Sequence, residues 1–137
     1  MHYAWAFRHA GCVDRVLGIF PVTDIRTWPG IDKIIGPGAV SPPGIGYGLS
    51  REDFEKRIQE FNPIDILKPL AASGVKIVHL HGDKDYGVPS GPNSEVFAER
   101  YRAFGGRMEL IIIPNGGHEG MANFYESEQA RDFLLED

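Results

Sequence analysis

The chain predicts an α/β domain built on a parallel sheet with helices on both faces. Three observations carry that expectation. Short apolar, β-branched runs recur at Val16–Phe20, Lys76–Leu80 and Met108–Ile113, each too brief for a stable helix and each bounded by glycine or proline. Segments with helical spacing lie between them. Strands that alternate with helices call for right-handed crossovers, which set the strands parallel and lay the helices over the sheet.

The elements follow in order. MHYAWAFRHA places Tyr3, Ala4, Ala6, Phe7 and Ala10 on adjoining turns with Trp5 beside them, a buried helix with no capping residue ahead of it. Gly11 is expected to stop it in the left-handed conformation. Val16–Phe20 is the first strand, closed by Pro21, which cannot donate into a central ladder. Thr23 to Ser50 carries proline and glycine throughout with no sustained period. It reads as a connecting loop or as a lid or substrate wall, with Trp28 either meeting a bound group or anchoring its own loop. Ser50 caps the next helix, with Asp53 in its first turn and Phe54, Ile58 and Phe61 on one face. Pro63 stops that helix, and IDILKPLAASG adds a short turn with Leu67 and Leu70 inward, closed by Gly74. Beyond the central strand, Asn93 to Phe104 sets Val96, Phe97, Tyr101 and Phe104 along one stripe, ended by Gly105 and Gly106. Asn123 to Leu135, with Phe124, Phe133 and Leu134, is expected to form one final helix over the sheet.

Composition narrows the function. A chain of 137 residues, 42% hydrophobic, suffices for one domain with a core and not for two. Its 14 basic and 19 acidic residues give a net charge of -5 with no basic run, which argues against nucleic acid and anionic membranes as partners and leaves small-molecule chemistry. No apolar run approaches the roughly 20 residues that span a bilayer. The single Cys12 excludes an internal disulfide and offers no metal-ligand spacing; it fits a cytoplasmic or a secreted protein, so localisation stays open. No cofactor is expected.

Ligands of open α/β sheets bind beyond the carboxyl ends of the strands. There the central strand runs into Asp83 and Asp85 in a tight turn, and the third strand is followed by GGHEG with His118. An acid after one strand and a histidine after the next suit an arrangement in which a carboxylate fixes the imidazole tautomer while the imidazole takes a proton from a nucleophile. Acid before histidine is the chain order that places the nucleophile first. Asp83 suits a cap of its own turn. His81 is expected to bond within the strand-end turn, and His79 to be a buried polar group with a partner.

HGDKDYGVP, followed by a helix, a strand and GGHEG, resembles the second half of an α/β-hydrolase, closest to prolyl-oligopeptidase-like and acetyl-esterase-like members. MHYAWAFRHA and VLGIFPVTD resemble the helix after the nucleophile elbow and the next strand of that family, so the likeness covers nearly the whole chain. It implies a serine hydrolase of carboxylic esters, ranked above a peptidase, with a small-molecule ester substrate, Asp85 as the acid of the H-G-x-x-D pattern and His118 as the base. The family's G-x-S-x-G is missing from these residues, and its place would be just before Met1. None of Ser41, Ser50, Ser73, Ser90, Ser94 or Ser127 lies between glycines on a strand-to-helix turn; Ser90 is near the acid but on the loop after it. Residues 1–137 are therefore expected to be a partial domain, the carboxyl-terminal half with three strands, inactive alone. The unpaired apolar edge at Val16–Phe20 would then favour self-association.

Two other readings stand beside this one. The chain is a catalytically inert fragment or a binding module that keeps hydrolase architecture. Alternatively His79, His81, Asp83 and Asp85 spell H-x-H-x-D-x-D, which resembles the ligand run of metallo-β-lactamase-like hydrolases, with His79, His81 and Asp83 as ligands.

Overall fold

Every residue of β2 (Lys76–Gly82) after Lys76 is buried, because this strand is paired on both sides and covered on both faces. The computed structural model describes residues 2–35, 49–119 and 122–136. β1 (Arg15–Ile19) pairs with β2 in parallel from Arg15 opposite Lys76 to Ile19 opposite Leu80. β3 (Met108–Ile113) pairs on the other side, from Met108 opposite Ile77 to Ile113 opposite Gly82. The order is β1-β2-β3, all parallel, as strands alternating with helices require. Among the described residues no further strand pairs with the outer edge of β1.

Alternation along the strands divides the core in two. Ile77, with Val16 and Met108, packs against α1 (His2–Arg8), α4 (Lys68–Ala72) and α5 (Val96–Ala103) through Tyr3, Ala6, Leu70, Phe97 and Tyr101. Val78 and Leu80 face the other way, toward Phe124 of α6 (Ala122–Tyr125) and Ala130 and Phe133 of α7 (Glu128–Leu135). Each fully buried Leu, Ile or Phe among these contributes about 1.5–3 kcal/mol, so either face alone outweighs any surface contact. A satellite cluster beside the sheet joins Phe54 of α3 (Arg51–Arg57) and Ile58 to Ile25, Ile31 and Ile34. Ser50 caps α3, its hydroxyl oxygen accepting from Asp53 N at 3.1 Å and its proton going to the Asp53 carboxylate at 2.7 Å.

Several expectations are corrected. Gly11 lies in a 3-10 turn, Ala10–Cys12, rather than in a left-handed stop; Gly74 (φ 74°) and Gly105 (φ 81°) do take the left-handed conformation. Phe104 is 51% exposed, because α5 ends at Ala103 and the next residues turn away from the helical stripe. The tail is two helices, since Ser127 caps a new one at Ala130 N, and Leu134 falls on its solvent side, 51% exposed. The stretch expected to be loop from Thr23 to Ser50 contains the short helix α2 (Ile31–Ile35), while its residues 36–48, Ser41 included, lie outside the described residues.

His79 lies on the α1 and α5 face of β2, fully buried. A Cβ on Gly18, its neighbour in the β1 ladder, would come within 2.9 Å of His79 Cδ2, so glycine there makes room for the ring. Burial first, and the neighbouring His81 second, push the His79 pKa down to about 3. The folded ring therefore stays neutral where the unfolded ring, near 6.5, takes up a proton. Unfolded chains bind more protons across that window, so stability is full above pH about 6.5 and is lost as pH falls toward 3. Urea unfolding between pH 4 and 7 should show a His79 contribution of up to ~1.4 kcal/mol per pH unit, and His79→Gln should flatten the slope by that amount. Equal slopes in both proteins would show that His79 protonates in the folded state.

Candidate active site

The acid and histidine turns meet through two glycines. A Cβ on Gly82, the last residue of β2, would sit 2.0 Å from the carbonyl oxygen of Gly116, and one on Gly116 would lie 3.0 Å from Gly82 Cα. Backbone touches backbone there, a contact closed to any larger residue. The two turns are then stitched: Asp83 N donates to Ile113 O at 3.3 Å and Lys84 N to Gly116 O at 2.9 Å. Lys84 Nζ adds a bond to Asn115 Oδ1 at 2.6 Å.

That stitching brings Asp85 and His118 together. Asp85 is 5% exposed and uses both oxygens: Oδ1 accepts from Val88 N at 2.7 Å and Oδ2 from His118 Nδ1 at 2.8 Å. A carboxylate accepts only, so Nδ1 carries the proton, and in the neutral ring Nε2 keeps its lone pair. The His118 side chain is 39% exposed, and among the described residues Nε2 is bonded to nothing. Phe20 lies with its ring 4.7 Å from the imidazole and edge-on to Phe124 at 5.3 Å. Its backbone φ of 36° is rare for a bulky residue and doubly so before proline, a strain of about 1–3 kcal/mol offset in part by the bond from Phe20 N to Leu80 O at 2.7 Å.

Trp28 also stands by His118, 6.2 Å between ring centroids and 40% exposed. Two buried asparagines hold its loop. Asn93 Oδ1 accepts from Thr23 N and Asp24 N at 3.0 and 3.1 Å, while its amide donates to Pro89 O and Thr27 Oγ1. Asn62 Oδ1 accepts from Ile25 N at 3.0 Å, and its amide reaches the carboxylates of Asp24 and Asp65. Trp28 also walls a cleft of about 700 Å³ with Val22, Ile25, Pro29, Ile34 and Phe61. Trp28 is thus set beside the imidazole on a loop that the two asparagines hold.

The other singled-out residues fall elsewhere. Asp83 is exposed, and the cap expected of it is made by Asp85, whose side chain is the one that takes Val88 N. His79 and His81 share a face, but their ring nitrogens are bonded to Tyr3, Ser94 and the Val88 carbonyl. Among the described residues no group of three His, Cys, Asp or Glu side chains is placed to hold a metal ion, so the reading of His79, His81 and Asp83 as ligands is not supported by their geometry. Ser90 Oγ donates to Glu95 at 2.7 Å, Ser94 lies between the two histidines, and Ser50 and Ser127 cap helices. None of these is bonded to His118. Sequence reasoning missed Phe20, Asn62, Asn93 and Ser94; the signal for Ser94 was present, since two histidines two apart on a buried strand demand polar partners from the helix above.

No protein-family model matches the chain, and no curated protein matches it in sequence. Solved structures do. A protein described as dipeptidyl aminopeptidase IV of Bacteroides ovatus superposes with a TM-score of 0.67 at 16% identity, over 97% of this chain and 16% of that one. The fold is that of an α/β-hydrolase. A butyrate-bound thermophilic esterase of Thermogutta terrifontis gives 0.50 at 22% identity, over 90% of this chain and 43% of that one. A carboxylesterase of Nitrososphaera gargenis gives 0.51 at 16% identity, over 98% and 58%. The chain therefore spans between 16% and 58% of the length of these three α/β-hydrolases.

The glycine contact yields a direct test. Gly82→Ala should lower unfolding free energy by about 2–3 kcal/mol or more, because the added methyl meets fixed backbone. Gly91→Ala, where nothing lies within 4 Å of the new Cβ, should change it by less than ~1 kcal/mol. Urea melts of the two variants showing equal stability would refute the close approach.

Proposed function

We propose that Asp85 and His118 are the acid and base of a Ser-His-Asp triad that hydrolyses carboxylic esters. The observation that carries this reading is the 2.8 Å bond from His118 Nδ1 to Asp85 Oδ2, with the imidazole's other nitrogen unbonded among the described residues on a partly exposed ring. In that geometry His118 Nε2 takes the proton of an attacking serine hydroxyl as the new C–O bond forms on the ester carbonyl. Asp85 holds the ring in register and steadies its transient positive charge. The imidazolium then returns the proton to the departing alkoxide, and a water repeats the sequence to release the acid. In this reading the attacking serine stands outside the described residues, and the chain is inactive without it.

A peptidase is the second reading, since solved structures described as peptidases superpose on the chain as the esterases do. Full-length protein assayed on p-nitrophenyl acetate and on an aminoacyl p-nitroanilide separates the two. With either substrate, His118→Ala and Asp85→Asn should lower kcat by about 10³–10⁴-fold without unfolding the protein. Turnover unchanged in His118→Ala would remove this residue from the mechanism.

A further inference from the structure

Beside the acid–histidine pair runs a buried line of hydrogen bonds whose direction can be read from one atom. His81 Nε2 lies 2.6 Å from the Val88 carbonyl oxygen. A carbonyl only accepts, so this nitrogen carries the proton and His81 Nδ1 is left to accept. Ser94 Oγ, 2.8 Å from Nδ1, therefore donates to it. The same oxygen then accepts from His79 Nδ1 at 3.0 Å, which leaves His79 Nε2 to accept the phenol proton of Tyr3. Tyr3, His79, Ser94 and His81 are all buried, so no solvent competes for these groups and one arrangement of protons satisfies all of them.

The line ends on the residue that aims Asp85. Val88 is held at both polar backbone atoms, its carbonyl by His81 Nε2 and its N–H by Asp85 Oδ1 at 2.7 Å. The same His81 nitrogen also lies 3.4 Å from Asp85 Oδ2, the oxygen that faces His118. We propose that His81 is a positioning residue for the Asp85–His118 pair, fixed by Ser94, His79 and Tyr3 in the one tautomer that can pin Val88. It touches no reacting atom. Its effect on the Asp85–His118 bond stands on geometry alone, while its effect on turnover rests on the hydrolase reading above.

Amide side chains of two lengths separate positioning from simple packing. Gln at position 81 extends an N–H to about where ring Nε2 stands, whereas Asn reaches only the Nδ1 side. The readout is the downfield Nδ1 proton of His118 in full-length protein, assigned by its disappearance in His118→Ala, together with kcat and KM on p-nitrophenyl acetate. His81→Gln should keep the resonance and stay within about threefold of the parent kcat; His81→Asn and His81→Leu should lose or broaden the resonance and lower kcat roughly tenfold to a hundredfold with KM little moved. Folded Asn and Leu variants that keep a sharp resonance and full kcat, or Gln and Asn variants that behave alike, would overturn the assignment. If both of those variants fail to fold, Ser94→Ala decides, since it leaves His81 in place but removes the donor that fixes its tautomer. A broadened His118 resonance supports the proposal there and an unchanged one overturns it. Normal turnover in His118→Ala with these resonance changes intact would instead remove the hydrolase reading and leave the positioning role standing.

Discussion

The touching backbones of Gly82 and Gly116 set how near the two turns at the sheet rim can come. Side chains a few ångströms long can bridge only a short gap, and the Asp85–His118 bond tolerates a few tenths of an ångström before it weakens. A methyl group on either glycine would use up that tolerance. The parallel ladder delivers both turns to the same rim, since β2 and β3 run side by side and end opposite each other at Gly82 and Ile113. Register, glycine contact and hydrogen bond are successive consequences of one strand pairing.

The two faces of the sheet do different work. Toward α6 and α7 the core is apolar, with Val78, Leu80, Ile113 and Phe124, and its stability comes from area removed from water. Toward α1 and α5 the same strand sends in His79 and His81, which would cost about 1–3 kcal/mol each if left unpaired. Gly18 makes space for one ring, and Ser94 serves both. This polar half is tolerated because its bonds are complete, and it lies directly behind the carboxylate at the rim.

Short apolar, β-branched runs bounded by glycine or proline, with helical spacing between them, made the three strands, their parallel arrangement and most helices legible, because a strand covered on both faces must be apolar along its length. That Asp85 and His118 share one rim was legible as well, since strand ends followed by tight turns are where such a fold presents polar groups, and the structure brings the two within a hydrogen bond. What was not legible depended on contacts distant in sequence. Asn93 looks like a helix start and Asn62 like a residue before a proline stop until Thr23, Asp24 and Ile25 are seen to need their oxygens. Phe20 sits at a φ that its neighbour Pro21 should discourage, and only its bond to Leu80 O and its ring packing against His118 and Phe124 offset that. Asp83 and Asp85 are equivalent as turn formers; the fold chooses Asp85 because its side chain points inward, where Val88 N–H and His118 await it.

Behind all of this stands one claim, that the buried carboxylate of Asp85 holds the neutral His118 ring as the Nδ1–H tautomer and so leaves Nε2 with its lone pair at the rim. A long-range proton–nitrogen correlation spectrum of the imidazole rings in the folded protein, recorded where His118 is neutral, tests it most directly. The account predicts a protonated, pyrrole-like Nδ1 and an unprotonated, pyridine-like Nε2 for His118. A ring found with the proton on Nε2, or exchanging between both forms as free histidine does, would contradict it.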